Sequence, residues 1–135
     1  MIMNEKSGPD KAFMLHWSLL DDTFMTVGPK HVFFWNPTLQ GASKKKRGTF
    51  GGVDKTTNLV CVTYDDKGIA YTGAQNGSIY KWQGGSMKSS HPIHKGVIHS
   101  IRYTMEPKDK SSLLLSGGSD NVIVISNPET MVIIK

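Results

Sequence analysis

The chain has one cysteine, Cys61, among 135 residues. It cannot form an internal disulfide, and its neighbours Val60 and Val62 are apolar. Both facts point to a reducing, intracellular setting. In that setting the Asn76-Gly77-Ser78 sequon is not glycosylated. Long apolar runs are missing too: nothing approaches the roughly 18 consecutive apolar residues of a membrane span, so no membrane association is expected. Residues Met1 to Lys11 have no apolar segment followed by a small-residue cleavage site, so they read as an N-terminal tail rather than a secretory signal. The chain also lacks a Gly-x-Ser-x-Gly elbow, a Walker loop and a Gly-x-Gly-x-x-Gly turn. Ser43-x-x-Lys46 and Ser119-Asp120-Asn121 echo two motifs of penicillin-binding enzymes, but the third, Lys-Thr-Gly, is absent and both fall in turns. No catalytic residue and no cofactor is expected.

Helical periodicity is absent throughout. Apolar residues come in short bursts split by Gly, Pro, Asn and Asp: Phe24-Met25-Thr26-Val27, Val32-Phe33-Phe34-Trp35, Leu59 to Tyr64, and Val122-Ile123-Val124-Ile125. β-branched and aromatic residues dominate them, the mark of short strands at roughly 8–12-residue spacing. With 38% hydrophobic residues the chain is too apolar for a disordered tail, and with 14 glycines too Gly-rich for a helical bundle.

Three segments repeat one logic. A first strand ends in an aromatic residue (Trp17, Tyr64, Tyr103). An acidic or Gly-containing turn follows, then a second strand ending near Gly28, Gly73 or Gly117, then a third strand ending at Trp35, Trp82 or Ser126. Trp35 and Trp82 are 47 residues apart, and Thr72 and Ser116 are 44 apart. This matches the roughly 40–45-residue period of a four-stranded propeller blade. Weaker fourth strands are expected at Lys44–Phe50, Ser86–Ser90 and Met131–Lys135. The expected architecture is all-β: about three four-stranded antiparallel blades over residues 12–52, 53–91 and 92–135, an incomplete, open β-propeller.

Thr72-Gly73-Ala74-Gln75-Asn76-Gly77-Ser78-Ile79-Tyr80-Lys81-Trp82 resembles the Ser-Gly-x-x-Asp-Gly-x-x-x-x-Trp block of the WD-repeat family, and His94-Lys95-Gly96-Val97 resembles the opening of its next repeat. The resemblance implies an internal hydrogen-bond network of that His, a Ser or Thr on the second strand, an Asp in the next turn, and the Trp. In the third repeat the matching residues are His94, Ser116 and Asp120, with Ser126 at the Trp position. In the second they are Thr72 and Trp82, with Asn76 for Asp. The first keeps Thr26 and Trp35. Within the family, Val27-Gly28-Pro29-Lys30-His31-Val32-Phe33-Phe34-Trp35, followed by Lys44-Lys45-Lys46-Arg47-Gly48-Thr49-Phe50-Gly51, resembles the echinoderm microtubule-associated protein-like proteins. That resemblance implies a non-enzymatic module of the cytoplasm and cytoskeleton that binds tubulin or microtubules. A general protein-binding scaffold without a cytoskeletal role is the alternative.

Charge gives the partner a chemistry. The window from Lys30 to Lys55 holds six positive residues against Asp54 alone, and so carries the whole net charge of +5. Its centre, Lys44, Lys45, Lys46 and Arg47, is either a solvated face or a contact for an acidic partner. No aromatic ladder interleaves with it, so nucleic acid is not expected. His91, His94 and His99 lie close in sequence without a Cys or carboxylate at ligand spacing, so no metal is expected. Asp21-Asp22 and Asp65-Asp66 occupy one turn of successive repeats, which favours turn chemistry over acid–base work. Trp17, Trp35 and Trp82 read as packing between blades. Three blades cannot close a ring, so two faces are expected to be uncovered, with Phe33, Trp35, Ile123 and Ile125 among their residues. Such a chain needs the rest of a longer protein or pairs as a homodimer.

Overall fold

A computed structural model describes residues 14–17, 23–28, 31–36, 45–48, 58–83, 86–105, 108, 111–128 and 133–134. Its elements are all strands: β1 Met14–Trp17, β2 Phe24–Gly28, β3 His31–Trp35, β4 Lys45–Arg47, β5 Leu59–Tyr64, β6 Ala70–Ala74, β7 Ser78–Gln83, β8 Ser86–Pro92, β9 Ile98–Met105, β10 Ser112–Gly118 and β11 Ile123–Ser126. They form three antiparallel meanders: β1-β2-β3-β4, β5-β6-β7-β8 and, as a three-stranded sheet, β9-β10-β11. The first strands of the sheets gather together, with β5 packed between β1 and β9.

The second sheet is covered on both faces, and strand alternation explains how. Val62 and Tyr64 on β5, and Tyr80 and Trp82 on β7, join Met25, Val27 and Val32 of the first sheet in one apolar cluster. Cys61 on β5, Tyr71 on β6 and Ile79 on β7 join Ile98, Ile101 and Leu114 of the third sheet in another. A strand buried on both sides has no polar face to show. That is why Leu59-Val60-Cys61-Val62-Thr63-Tyr64 reads as an unbroken run. The seam with the third sheet is close: a Cβ added at Gly73 would lie 2.6 Å from both Cys61 Sγ and Ile98 Cγ2.

Several expectations need adjusting. The first sheet's fourth strand covers Lys45–Arg47, shorter than Lys44–Phe50; Lys44, Thr49 and Phe50 lie outside the described residues. The second sheet's fourth strand runs on to Pro92, past the expected end at Ser90. The limit at 52–53 and the tail 1–11 lie outside the described residues. In the third sheet the expected strand Met131–Lys135 is represented, among the described residues, by a bridge between Ser126 and Ile133 and a bond from the Ile134 amide to the Ile125 carbonyl (2.7 Å). Tyr103 does not end its strand, which continues to Met105.

The open faces also differ from expectation. Phe33 and Trp35 are buried, not exposed. Trp35 stacks parallel on Phe24 with ring centroids 5.7 Å apart, and Phe33 meets Trp35 edge-on. Trp17 covers the other side of Phe24 at 4.8 Å, itself half in solvent. The aromatic rings thus close over one another, an arrangement favoured by their quadrupoles. On the third sheet Ile123 is 74% exposed, and Ile133 and Ile134 are exposed as well.

Candidate functional site

Each sheet places one pair of positions identically. On β2, Thr26 lies opposite Phe33; on β6, Thr72 lies opposite Tyr80; on β10, Ser116 lies opposite Val124. Two residues further along the third strand stand Trp35, Trp82 and Ser126. The diagonal reach across a strand pair suits a long side chain. Trp35 Nε1 donates to Thr26 Oγ1 at 3.0 Å, and Trp82 Nε1 donates to Thr72 Oγ1 at 2.9 Å. Ser126 is too short for that diagonal and its hydroxyl turns to the Leu114 carbonyl at 3.4 Å.

In the third sheet the hydroxyl of Ser116 meets His94 instead. His94 Nε2 lies 2.9 Å from Ser116 Oγ, and His94 Nδ1 lies 3.1 and 3.2 Å from the two Asp120 oxygens. With Asp120 ionised, Nδ1–H donates to the carboxylate and Nε2 accepts from the serine hydroxyl. Asp120 also accepts the Lys95 amide at 3.0 Å and the Val122 amide at 3.2 Å. These donors, the Lys95 amide first and His94 after it, hold its carboxyl below the usual carboxylate range. Gly118 leaves room for the pair, since a Cβ there would sit 2.8 Å from His94 Nδ1.

His94 lies in the passage from β8 to β9, and that passage is tied to both sheets. The amides of Ile93 (3.1 Å) and His94 (2.9 Å) donate to the Gly77 carbonyl in the β6–β7 turn. On the other side, the Ser119 amide donates to the Val97 carbonyl at 2.8 Å. The polar set therefore clips the second sheet to the third.

Its order of groups is that of a hydrolase triad, and burial decides what it can do. A nucleophilic serine must reach a substrate carbonyl. Ser116 is 2% exposed, on the central strand β10. Its hydroxyl faces the imidazole from inside the sheet.

A second buried polar set was not anticipated from the sequence. Asp65 Oδ1 accepts the amides of Lys67 (2.8 Å) and Ile69 (2.9 Å), closing the β5–β6 turn. Tyr71 Oη lies 3.2 Å from both Asp65 Oδ2 and the Pro128 carbonyl, and Lys81 Nζ donates to that carbonyl at 3.3 Å. Asp65 is thus a turn residue, and Asp66 accepts from Tyr103 Oη at 3.0 Å. The only advance signal was the carboxylate in a turn; Tyr71 and Pro128 are 57 residues apart.

The other candidates separate. His91 bonds Ser89 Oγ at 3.0 Å, and burial, then the nearby Lys81 charge, lowers its pKa. His94 is committed to Asp120 and Ser116, and His99 is exposed. Among the described residues no group of three His, Cys, Asp or Glu side chains is placed to hold a metal ion. Lys45, Lys46 and Arg47 pair in backbone register with Trp35, Phe34 and Phe33; Lys44 lies outside the described residues.

Two four-stranded meanders and a three-stranded one, with a Thr–Trp diagonal in the first two and a His–Ser–Asp clip between the second and third, define the chain as a WD-repeat β-propeller segment. No family model matches it. It resembles the echinoderm microtubule-associated protein-like proteins. It is 41% identical over 132 residues to the Ciliary WD repeat-containing protein ctxp80 of Euplotoides octocarinatus, covering 94% of this chain and 17% of that protein. It is 29% identical to the 77 kDa echinoderm microtubule-associated protein of Lytechinus variegatus, over 92% of this chain and 18% of that one. With human Echinoderm microtubule-associated protein-like 1 the identity is 31% over 74% of this chain and 12% of that protein. The chain thus spans less than a fifth of the length of these relatives. A solved structure of U3-55K superposes with a TM-score of 0.79 over 96% of this chain and 40% of that chain, at 11% identity, a likeness of fold alone.

Proposed function

We propose that this segment is a non-enzymatic interaction module of the cytoplasmic cytoskeleton that associates with microtubules. The observation that carries the reading is its 29–31% identity, over most of its length, with proteins named for microtubule association. The charge pattern supports it. The whole net charge of +5 falls in the window around Lys44, Lys45, Lys46 and Arg47, and β4 is the edge strand of its sheet, at the far side from β1. A basic edge attracts an acidic polymer and also discourages strand pairing with other chains. The His94–Ser116–Asp120 set and the Thr–Trp diagonals serve the fold, not catalysis.

Co-pelleting with microtubules at two salt concentrations tests the proposal. Exposed charges are screened within about 10 Å at 0.1 M salt, so the pelleted fraction falls as salt rises. Replacing Lys44, Lys45, Lys46 and Arg47 by Ser lowers it at low salt and flattens the salt dependence. A chain that stays in the supernatant at both concentrations is instead a general protein scaffold with no cytoskeletal role.

A further inference from the structure

The first strands of the three sheets enclose a cavity of about 360 Å³, lined by β1, β5 and β9. Its size falls at the lower end of ligand pockets, which run from about 300 to 1,000 Å³. The polar groups on its wall are His16, Thr63, Tyr64, Ser100, Arg102 and Tyr103. Every one of them can donate a hydrogen bond, and among the described residues no carboxylate lines it. Among the described residues, the neighbouring Asp65 and Asp66 are committed elsewhere. Asp65 closes its own turn, and Asp66 takes the Tyr103 hydroxyl. Arg102 is exposed and forms no ion pair among the described residues. His16 packs its ring against Tyr64 at 6.1 Å, and its Nδ1 is enclosed without a hydrogen-bond partner. A buried polar atom left unpaired is costly and rare in a folded chain.

We propose that this cavity receives a carboxylate side chain, presented by an acidic peptide segment of a protein partner. The donor set fits that chemistry. Arg102 offers a planar fork that matches a carboxylate with two parallel bonds. The hydroxyls of Thr63 and Ser100 and the His16 imidazole stand on the same wall to take the remaining oxygen lone pairs. A cationic or purely apolar ligand would leave the guanidinium and the imidazole uncompensated. The three strands come from three different sheets, so the cavity exists only when the sheets are docked. The inference does not rest on the microtubule reading, which concerns the basic window around β4.

The test is fluorescence anisotropy of a labelled short polyglutamate peptide with the full chain, using polyglutamine as the neutral control. The parent binds polyglutamate and not polyglutamine. R102Q weakens polyglutamate binding by about tenfold, the scale of one charge-assisted hydrogen bond, while its thermal unfolding is unchanged because the residue is exposed. H16F, which keeps an aromatic ring against Tyr64, weakens it as well. Each comparison is made in a background with Ser at 44 to 47, so that the basic window adds nothing to polyglutamate binding and a failure of the microtubule reading is told apart from a failure of this one. A parent chain that fails to bind overturns the proposal. So does an R102Q chain that binds as well as its parent in the Ser background.

Discussion

Gly77 lies against the backbone of His94. Its φ is +87°, its carbonyl accepts the His94 amide at 2.9 Å, and a Cβ placed on it would collide with the His94 carbonyl. Gly77→Ala therefore carries both a left-handed strain, about 1–3 kcal/mol, and a displacement of the passage that clips two sheets together. Urea unfolding will show this loss. Gly117→Ala, where an added Cβ meets nothing within 4 Å, will leave the midpoint nearly in place.

Ser116→Ala leaves His94 Nε2 without its 2.9 Å partner in a buried setting. The expected cost is about 1–3 kcal/mol, read as a lower denaturation midpoint. No esterase activity is expected from the parent toward p-nitrophenyl acetate above the background of S116A. A clear difference in hydrolysis would restore the triad reading.

Asp120 governs part of the acid response. Its pKa is depressed in the folded chain, chiefly by the Lys95 amide. A depressed carboxylate contributes stability that is fully present above its unfolded pKa, about 3.9, and is lost as pH falls through the lower folded value. Stability measured from pH 6 down to pH 2 will therefore decline through this window. D120N will start from a lower plateau and decline less steeply.

Thr72→Val removes the acceptor of the fully buried Trp82 indole while keeping the shape of the side chain. The orphaned N–H costs about 1–3 kcal/mol. Thr26→Val should act in the same direction through Trp35.

The Cys61 thiol is pushed up to about 12 by burial and touches the Ile98 carbonyl at 3.6 Å. The thiolate is the reactive form. Alkylation by iodoacetamide at pH 8 will be slow in buffer and fast in denaturant.

Exposed Ile123, Ile133 and Ile134 on the third sheet leave apolar surface without cover. Light scattering of the isolated chain is expected to show association above the mass of one copy, and I123K to reduce it. A parent that stays monomeric shows that this surface is tolerated in water.

The period of the repeats was legible because strands of this fold alternate with turn residues at fixed spacing, and Trp35, Thr72, Trp82 and Ser116 mark it. His94, Ser116 and Asp120 could be picked out through a resemblance in spacing; their distances could not. What escaped was non-local. Nothing around Tyr71 announces Pro128, and nothing around Gly77 announces the His94 carbonyl, because each contact joins turns far apart in the chain. The burial of Phe33 escaped for another reason. A pattern of alternation says which residues share a face, not whether neighbouring aromatic rings on that face cover one another.

Every strand pairing within the three sheets joins strands adjacent in sequence. Such pairings need only short loops to close, and local closure is fast. Each meander can therefore assemble hairpin by hairpin as the chain emerges during synthesis, without waiting for distant residues. The contacts that must wait are those between sheets. The passage carrying His94 cannot engage Asp120 until residues 26 positions later have been made. Docking of the third meander through His94 and Asp120 therefore comes after the second meander already has its strands in place to pair.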